Sequence, residues 1–275
     1  MSGRAALAKA IQRNEAAAMH GYLLSDPLSR RRFGFSVARR GGLVCFASRR
    51  LSEPLFHRVL GFGVLAPATP AAVAAIVRHY EELGADARVE VAEGVADPVA
   101  ARVLERAGFR RERQRHVVHA LVTDRPIEAG LVRGLRIDIA GRSDRATFGR
   151  LARDGFGETG ERGDFVERSS AYVLHHGTPG RFVGFIGRIA GEPAATGAVC
   201  LTRAAGGLYS DTTLPAFRWL GIQSAMIAAR FALVLRGRRH IFAARTEAAN
   251  ASARNYASAG FRPLYRAAFY RRALS

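Results

Sequence analysis

Lysine is almost absent from this sequence. Lys9 is the only one, so arginine supplies nearly all of the 42 basic residues, which stand against 23 acidic residues in a chain of 275. The resulting formal net charge of +19 would attract polyanions such as nucleic acids. The arginines are scattered, however, and alanine and glycine are also abundant. A GC-rich coding sequence produces this composition without selection for a binding partner. We therefore expect no nucleic-acid partner.

Cysteine is scarce as well, and long apolar runs are missing. Cys45 and Cys200 lie far apart in apolar segments, which indicates reduced core thiols and offers too few ligands for a disulfide framework or a zinc site. The adjacent pair His175 and His176 indicates a helix end rather than a metal pair, because neighbouring helical side chains diverge. Residues 5–24 predict an amphipathic helix rather than a signal peptide, and no stretch could span a bilayer. We expect a cytoplasmic protein with no membrane association and no metal.

A short repeated sequence, which marks two repeat segments, divides the chain into two copies. The sequence Ala-Gly-Phe-Arg occurs at 107–110 and again at 259–262, about one domain length later. In each copy a short helical run ends at the glycine and a strand-like segment follows. Between the two copies, two polar residues followed by Pro126 end the preceding strand-like segment. We therefore predict a duplicated domain, with units at residues 1–125 and 133–275.

Strands and helices alternate in both units, which predicts a mixed α/β sheet. In the second unit the predicted strands are 135–140, 181–189, 194–202, 207–214 and 239–246, and the predicted helices are 143–153, 164–175, 221–235 and 252–258. In the first unit the predicted helices are 5–24, 69–83 and 97–107, and the predicted strands are 33–38, 43–48, 58–64 and 88–92.

The segment between the strand 207–214 and the helix 221–235 has the features of an anion site. The strand ends at Pro215, the loop contains Arg218 and Gly221, and the helix begins at once. A helix start presents unpaired N–H groups, glycine lets a phosphate approach the backbone, and arginine adds a forked positive donor. The alternative is an ordinary helix start beside a surface arginine, because Arg-x-x-Gly is a weak pattern.

Residues 215–224, followed by 252–261, resemble the GCN5-related N-acetyltransferase (GNAT) superfamily. That family has an Arg/Gln-x-x-Gly-x-Gly/Ala loop after its fourth strand, and a short helix with a tyrosine before Gly-Phe after its fifth. Tyr256 precedes Gly260 by four positions, as in the family. Gln223 and Trp219 depart from the pattern, since small residues are usual at both positions. The resemblance covers residues 133–275 and implies two tandem GNAT-like domains, each a mostly antiparallel twisted sheet with flanking helices and a splayed central strand pair.

The resemblance also implies the co-substrate and the site. An amine would attack the thioester of acetyl-CoA directly, and no metal would take part. The pantetheine arm would enter between the splayed strands and pair with backbone groups, the pyrophosphate would lie on the loop amides, and Tyr256 would protonate the departing thiolate as a general acid. A core aromatic is the alternative for Tyr256. The implied cofactor-binding residues are Thr213, Leu214, Arg218, Trp219, Leu220, Gly221, Ile222, Gln223, Ser224 and Asn255.

The general base is left open. Asp211 lies in the strand that leads to the loop, and Glu247 closes the next strand. Glu158 and Glu161 lie in the glycine-rich loop 155–163, where this fold builds its acceptor cleft. For each of them the alternative is a solvated structural carboxylate, and a water chain could replace them all.

The first copy departs from these motifs. The Arg-x-x-Gly pattern is absent, Pro70 removes a donor amide from the corresponding helix start, and Leu104 stands at the position of Tyr256. Residues 1–125 therefore predict a degenerate GNAT-like domain that does not bind the cofactor, and residues 133–275 predict the acetyltransferase domain.

The sequence thus predicts an acetyl-CoA-dependent N-acetyltransferase that acts on a small-molecule or peptide amine, as a monomer or a homodimer. The first alternative is a non-catalytic acyl-CoA-binding or regulatory protein, which Gln223 and the missing obvious base would favour. The second is a nucleic-acid-binding module, although the aromatic–basic interleaving of a stacking surface is lacking. The acceptor, and acetyl against a longer acyl donor, stay open.

Overall fold

The computed structural model describes residues 3–174, 180–247 and 250–274. His175 and His176 lie outside these residues. The first half contains α1 (Gly3–Leu24), α2 (Pro27–Phe33), β1 (Ser36–Arg40), β2 (Leu43–Ala47), β3 (Arg58–Leu60), α3 (Pro70–Glu82), β4 (Ala87–Glu93), α4 (Ala100–Arg106) and β5 (Arg110–Val122). The second half contains β6 (Leu135–Ile139), α5 (Arg145–Phe156), α6 (Gly160–Val173), β7 (Arg181–Ile189), β8 (Glu192–Leu201), β9 (Ala205–Thr213), α7 (Ile222–Arg236), β10 (Ile241–Glu247), α8 (Ala251–Ser258) and β11 (Arg262–Arg272), with 3₁₀ turns at Arg142–Asp144 and Pro215–Phe217.

Most predicted elements are present within a few residues of their expected ends, and α2 is the one the sequence analysis missed. Its signals are local: Asp26 accepts hydrogen bonds from the N–H groups of Leu28 (3.3 Å) and Ser29 (3.1 Å), and Gly34 ends the helix at a φ of +63°. The helix predicted over 164–175 begins earlier, at Gly160, so the loop before it is shorter than expected.

Within the described residues the strands form one sheet in the order β1-β2-β3-β4-β11-β5-β10-β9-β8-β7-β6. All neighbours are antiparallel except the pairs β3–β4 and β9–β10. The fold is therefore mixed α/β with a mostly antiparallel sheet, as predicted. None of the helices in these residues is long and apolar enough to cross a membrane.

The last strand of each half lies in the sheet of the other half. β5 follows the helices of the first half, yet it pairs with β10 through contacts such as Val117 with Thr246. β11 ends the second half, yet it pairs with β4 through contacts such as Glu93 with Arg266. β5 and β11 also pair with each other. The strands that follow the two repeat segments, β5 and β11, are thus neighbours that cross between the halves. The boundary between residues 125 and 133 stays a prediction.

The central parallel pair is splayed. β9 and β10 are paired only between residues 205–208 and 241–244, and beyond these residues they separate. A bulge in β9 bends it away, because Ser210 has a φ of +56° and the pairing with β8 shifts between Thr196 and Ala198. The separation leaves the last residues of both strands facing a gap.

Helices cover both faces of the second half. Side chains of β7 alternate between two hydrophobic clusters: Val183 and Phe185 pack with α7 and α8, and Phe182 and Ile186 pack with α1, α5 and α6. α1 is a helix, as predicted, but it is not simply amphipathic. Its Asn14 is buried and donates to the carbonyls of Cys200 (2.9 Å) and Ala205 (3.0 Å), so polar residues of α1 face the sheet rather than solvent.

Both cysteines are free and buried, as the sequence predicted. Burial raises the pKa of the Cys45 and Cys200 thiols to about 12, so neither forms a thiolate at neutral pH.

Candidate functional site

The segment between β9 and α7 forms an open helix start. The chain leaves β9 at Thr213, makes a 3₁₀ turn and enters α7 through Gly221, which has a φ of +80°. No side chain of the described residues caps this helix, so the first N–H groups of α7 are available to a ligand. These amides and the positive end of the helix converge on one point, which is the arrangement that binds an anion.

Trp219 adopts a backbone conformation that favours glycine. Its φ is +70°, and its indole is 90% exposed. A side chain in this left-handed region costs about 1 kcal/mol, which is a physical reason why glycine is usual at this position in the family that the sequence resembles. Because the indole extends into solvent, it leaves the loop amides open.

Arg218 reaches back across the loop. Its Nε donates to the carbonyl of Thr213 at 3.2 Å and its Nη2 donates to the carbonyl of Gly155 at 3.1 Å. The loop is thereby tied to the end of α5. A phosphate would offer this guanidinium stronger, charge-assisted bonds than the two carbonyls do. The contact between Arg218 and a phosphate stays a prediction.

A cavity of about 820 Å³ opens at the gap between β9 and β10. It brings together most of the predicted site residues, namely Asp211, Thr213, Arg218, Trp219, Gly221, Ile222, Gln223, Ser224, Glu247 and Asn255. Leu214, Leu220 and Tyr256 do not line it. The N–H of Leu214 bonds the carbonyl of Ala194 at 2.9 Å, so this amide belongs to the sheet rather than to the gap.

Gln223, which departs from the small residue usual in the family's loop, turns away from the helix start. Its Oε1 accepts a hydrogen bond from Thr213 Oγ1 at 3.3 Å, which directs the side chain along β9. The same side chain hydrogen-bonds Asp211, which partly offsets the rise that burial causes in the pKa of that carboxyl. The larger residue therefore leaves the backbone amides of the loop uncovered.

Tyr256 is buried behind the cavity wall. Its side chain is 2% exposed, and its hydroxyl donates to Oδ2 of Asp211. Burial, and then the Asp211 carboxylate, raise the pKa of Tyr256 well above its ordinary value. The general-acid role implied for Tyr256 would suit a phenol near its normal pKa, and the structure corrects that expectation: both the low-dielectric surroundings and the adjacent negative charge disfavour a phenolate.

Asp211 is shared between Tyr256 and a buried arginine. Oδ1 of Asp211 pairs with the guanidinium of Arg230, which is fully buried and also donates to the carbonyls of Met226 (2.9 Å) and Ala198 (3.3 Å). Burial raises the pKa of Asp211, although Arg230 opposes the shift. A carboxyl with a raised pKa that faces a cavity is suited to proton transfer.

The sequence analysis missed Arg230. A signal was present, because Arg230 is the only charged residue inside the apolar stretch of α7. Gly197 provides the space: a Cβ at this position would lie 2.8 Å from the Arg230 Cζ. Gly197 on β8 therefore leaves room for the side chain of Arg230 on α7, beneath Asp211.

A second buried network joins the two halves beneath the cavity. Arg58 of β3 bonds Glu15 of α1 at 2.5 Å and Glu90 of β4 at 2.9 Å, and Arg245 of β10 bonds both carboxylates at 2.7 Å. Its charges cancel. Glu15 and Arg245 line the cavity, as does His116 of β5. Burial and the two arginines lower the pKa of His116 to about 3, so its imidazole is neutral.

The remaining carboxylates fall in different places. Glu158 follows α5 and lines the cavity, where its Oε2 pairs with Arg162 Nε at 2.8 Å. Glu247 lines the cavity at the end of β10. Glu161 lies in the first turn of α6 rather than in a loop, and pairs with Arg32 (3.1 Å) on the outer surface. Glu161 is therefore outside the cavity.

The corresponding helix start of the first half is closed. Thr69 caps α3 and accepts a hydrogen bond from the N–H of Ala72 at 3.2 Å, while Pro70 has no N–H to offer. Leu104 is fully buried in the core beside α3. The absence of cofactor binding by residues 1–125 stays a prediction.

Within the described residues no group of His, Cys, Asp and Glu is arranged to hold a metal ion. No protein-family model and no curated protein matches the sequence.

Solved structures, in contrast, match over nearly the whole chain. A GCN5-related N-acetyltransferase from Kribbella flavida is 17% identical with a TM-score of 0.63, over 94% of each chain. A tandem GNAT protein from the clavulanic acid biosynthesis pathway, solved without AcCoA, is 14% identical with a TM-score of 0.66, over 97% of this chain and 95% of that chain. A GCN5-related N-acetyltransferase from Sphaerobacter thermophilus is 16% identical with a TM-score of 0.57, over 98% and 93%.

Proposed function

From the tandem GNAT fold of this chain, we propose that the cavity between β9 and β10 binds acetyl-CoA and that the protein is an N-acetyltransferase. The observation that carries the proposal is the meeting of two features in one cavity: the uncapped start of α7 at Gly221 and the buried carboxylate of Asp211. The first suits a pyrophosphate and the second suits proton transfer. The solved GNAT structures to which the chain is similar, one of them a tandem GNAT protein, support the same class of reaction.

The residues present fit acetyl-CoA. The amides of Gly221, Ile222, Gln223 and Ser224 would hold the pyrophosphate, with Arg218 beside them and Asn255 on the opposite wall. Thr213 borders the gap that would take the pantetheine arm. At Gly221 a Cβ would meet only Val132, at 3.5 Å, so the backbone at the helix start is open to an approaching phosphate.

Acetyl-CoA supplies an activated thioester, and the chain supplies proton transfer and position. Asp211 accepts a proton from the amine nitrogen as the new N–C bond forms. Tyr256 does not line the cavity, so it would act as the general acid through Asp211, to which its hydroxyl is bonded: the Asp211 carboxyl passes a proton to the sulfur as the C–S bond breaks, and the amine proton replaces it. Protons balance, and no nucleophilic side chain is needed. Glu247, on the other side of the gap, is the alternative base.

A second function is favoured by one observation. Tyr256 does not line the cavity and its hydroxyl is engaged by Asp211. In a non-catalytic acyl-CoA-binding protein this pair would serve only to hold α8 on β9. Such a protein would bind acetyl-CoA without turnover.

Calorimetry with acetyl-CoA and a free-thiol assay over an amine panel test both functions. We expect saturable binding by the wild type, loss of binding in the double variant Arg218→Ala, Gly221→Asp, and thiol release that depends on an amine. Absence of saturable binding by the wild type contradicts both functions. Binding without thiol release for any amine favours the regulatory function.

A further inference from the structure

Exposed aromatic side chains are concentrated at the mouth of the cavity. Among the phenylalanine, tyrosine and tryptophan residues that the structure describes, only Phe156 and Trp219 are largely exposed, at 49% and 90%. Both of them line the cavity. A large apolar side chain is normally stabilised by burial, and exposed apolar groups that meet at a cleft are typical of a binding surface. The mouth therefore presents aromatic surface to a ligand.

A hydrogen-bonded link holds the two aromatic segments together. Arg218 donates to the carbonyl of Gly155 at 3.1 Å and to the carbonyl of Thr213 at 3.2 Å. Phe156 is the next residue after Gly155. Trp219 is the next residue after Arg218. The end of α5 and the loop before α7 are thus held side by side, and each contributes one aromatic residue to the mouth.

Trp219 is unfavourable for its position by the internal contacts of the fold. Its φ of +70° is strained for a residue with a Cβ. An indole that is 90% exposed gains little free energy from packing within the chain. A ligand with a planar group would offset this cost, because stacking would cover the indole.

The distance along the chain from Trp219 to the start of α7 indicates which part of the co-substrate it would meet. Residues 219 and 222 are three positions apart, a length of at most about 11 Å. In the proposed complex the pyrophosphate lies on the amides that begin at Gly221, and the pantetheine arm runs inward to Asp211. The group on the outward side of the pyrophosphate is the 3′-phosphoadenosine, whose planar base comes within reach of the indole.

The charge at the mouth favours a nucleotide over an apolar acceptor as the stacking ligand. Arg218 adjoins Trp219 in the loop, and Arg254 of α8 lines the same cavity. Guanidiniums beside an aromatic face combine attraction for phosphate with stacking on a base. An uncharged apolar acceptor would bring no anion to these guanidiniums.

We propose that the indole of Trp219 stacks on the adenine of the co-substrate. The protein thereby selects an acyl donor that carries the nucleotide over one that carries only a phosphopantetheine arm. The inference rests on the proposed binding of acetyl-CoA and assigns one side chain to its base. Trp219 is a binding residue in this proposal and takes no part in proton transfer.

Calorimetric titrations with three ligands measure the contribution of the base. Coenzyme A and dephospho-coenzyme A contain adenine, whereas 4′-phosphopantetheine does not. We expect Trp219→Ala to raise the Kd of the first two by about tenfold, the usual effect of stacking on one base, and to change the Kd of the third by less than about twofold. Trp219→Phe keeps an aromatic face and should lose less. Leu28→Ala, an exposed apolar residue of α2 outside the cavity lining, is the matched control and should change none of the three.

Fluorescence provides a readout that does not depend on turnover. Trp219 is the only tryptophan of the chain, so the tryptophan emission reports on this side chain alone. Stacking on adenine should quench the emission saturably, with the same Kd that calorimetry gives for coenzyme A. Saturation with 4′-phosphopantetheine should leave the emission nearly unchanged.

The outcomes separate the inference from the proposed function. Saturable binding of coenzyme A with unchanged emission, or equal losses for all three ligands in Trp219→Ala, overturns the stacking inference and leaves the cofactor site standing. A loss of adenine binding in Phe156→Ala but not in Trp219→Ala overturns the assignment to Trp219. A lower kcat/KM for the amine in Trp219→Ala, with the Kd of coenzyme A unchanged, assigns the indole to the acceptor and also overturns it. Absence of saturable binding of coenzyme A by the wild type overturns the proposed function and the inference together.

Discussion

The hydroxyl of Tyr256 on α8 donates a hydrogen bond to the carboxylate of Asp211 on β9, and Arg230 holds the other oxygen of that carboxylate. Asp211 lines the cavity, whereas Tyr256 lies behind it. The buried Tyr256 hydroxyl is thus linked to the cavity through Asp211, a carboxyl whose own pKa is raised. Substitution of either partner of Asp211 therefore changes the proton affinity of the group that faces the ligand.

Replacement of Tyr256 by Phe should slow turnover and spare binding. The variant removes the hydroxyl that would act on the thiolate through Asp211 but keeps the ring that packs against Phe261. We expect kcat to fall by about 100-fold, the usual effect of losing a general acid, with the Kd for acetyl-CoA changed less than about twofold. Tyr270→Phe, a buried tyrosine on β11, is the control. Unchanged kcat would remove Tyr256 from the mechanism.

Replacement of Arg230 by Met should destabilise the protein in a pH-dependent way. Removing the guanidinium leaves a buried carboxylate unpaired, which costs about 3 kcal/mol at neutral pH. The folded-state pKa of Asp211 already lies above its ordinary value, so the folded protein holds this proton more tightly and stability falls as the pH rises through that range. Without Arg230 the pKa of Asp211 rises further, so the free energy of unfolding falls more steeply as the pH rises.

Urea unfolding at about pH 4 and pH 8 measures this effect. The difference in unfolding free energy between wild type and Arg230→Met should be smaller at pH 4, closer to the range in which Asp211 takes up its proton, and larger at pH 8. Arg230→Lys keeps the charge and should lose less. A difference that does not depend on pH would mean that the packing of Arg230 against Gly197 dominates, rather than its charge.

Local patterns predicted the frame of the molecule well. The order of strands and helices and the open loop at Gly221 follow from short-range signals: apolar alternation, caps and turn glycines. The splayed pair, in contrast, was implied by the family resemblance. Signals of this kind also exist for α2, in Asp26 and Gly34, but the brief polar run between them was not recognised as a helix.

Long-range pairing could not be predicted in the same way. The exchange of β5 and β11 depends on which strand edges of the sheet pair after folding. The two repeat segments have the same local pattern whether or not the strands are exchanged. The same holds for the buried charges. Arg230 is identifiable in the sequence as an isolated charge among apolar residues, but its partner lies on another element. Glu15 follows a polar run, and its partner Arg58 also lies on another element. The raised pKa of Tyr256 depends on such contacts.

Replacement of Gly221 by Ala should weaken acetyl-CoA binding through the backbone. At a φ of +80° a Cβ costs about 1 kcal/mol, although its nearest neighbour is 3.5 Å away. Relief of this strain would rotate the first amides of α7 away from their common point. Gly260→Ala carries the same strain at a φ of +91°, with its nearest neighbour at 3.8 Å, outside the cavity lining. Calorimetry should find weaker binding only for Gly221→Ala; equal effects would remove the loop from the cofactor site.

Separation of the chain into residues 1–125 and 133–275 tests the strand exchange. Each fragment would keep the strand that normally lies in the other half and lose the one it needs: fragment 133–275 lacks β5, so the edge of β10 is unpaired and β11 has neither neighbour. We expect neither fragment alone to unfold cooperatively, since exposed strand edges invite aggregation. Co-expressed fragments should associate into one complex that restores acetyl-CoA binding, because the broken segment contains none of the paired residues of β5 or β11. Circular dichroism melting and size-exclusion chromatography provide the measurement. A fragment 133–275 that melts cooperatively by itself and binds acetyl-CoA like the full chain would mean that the second half closes its own sheet when the first is absent.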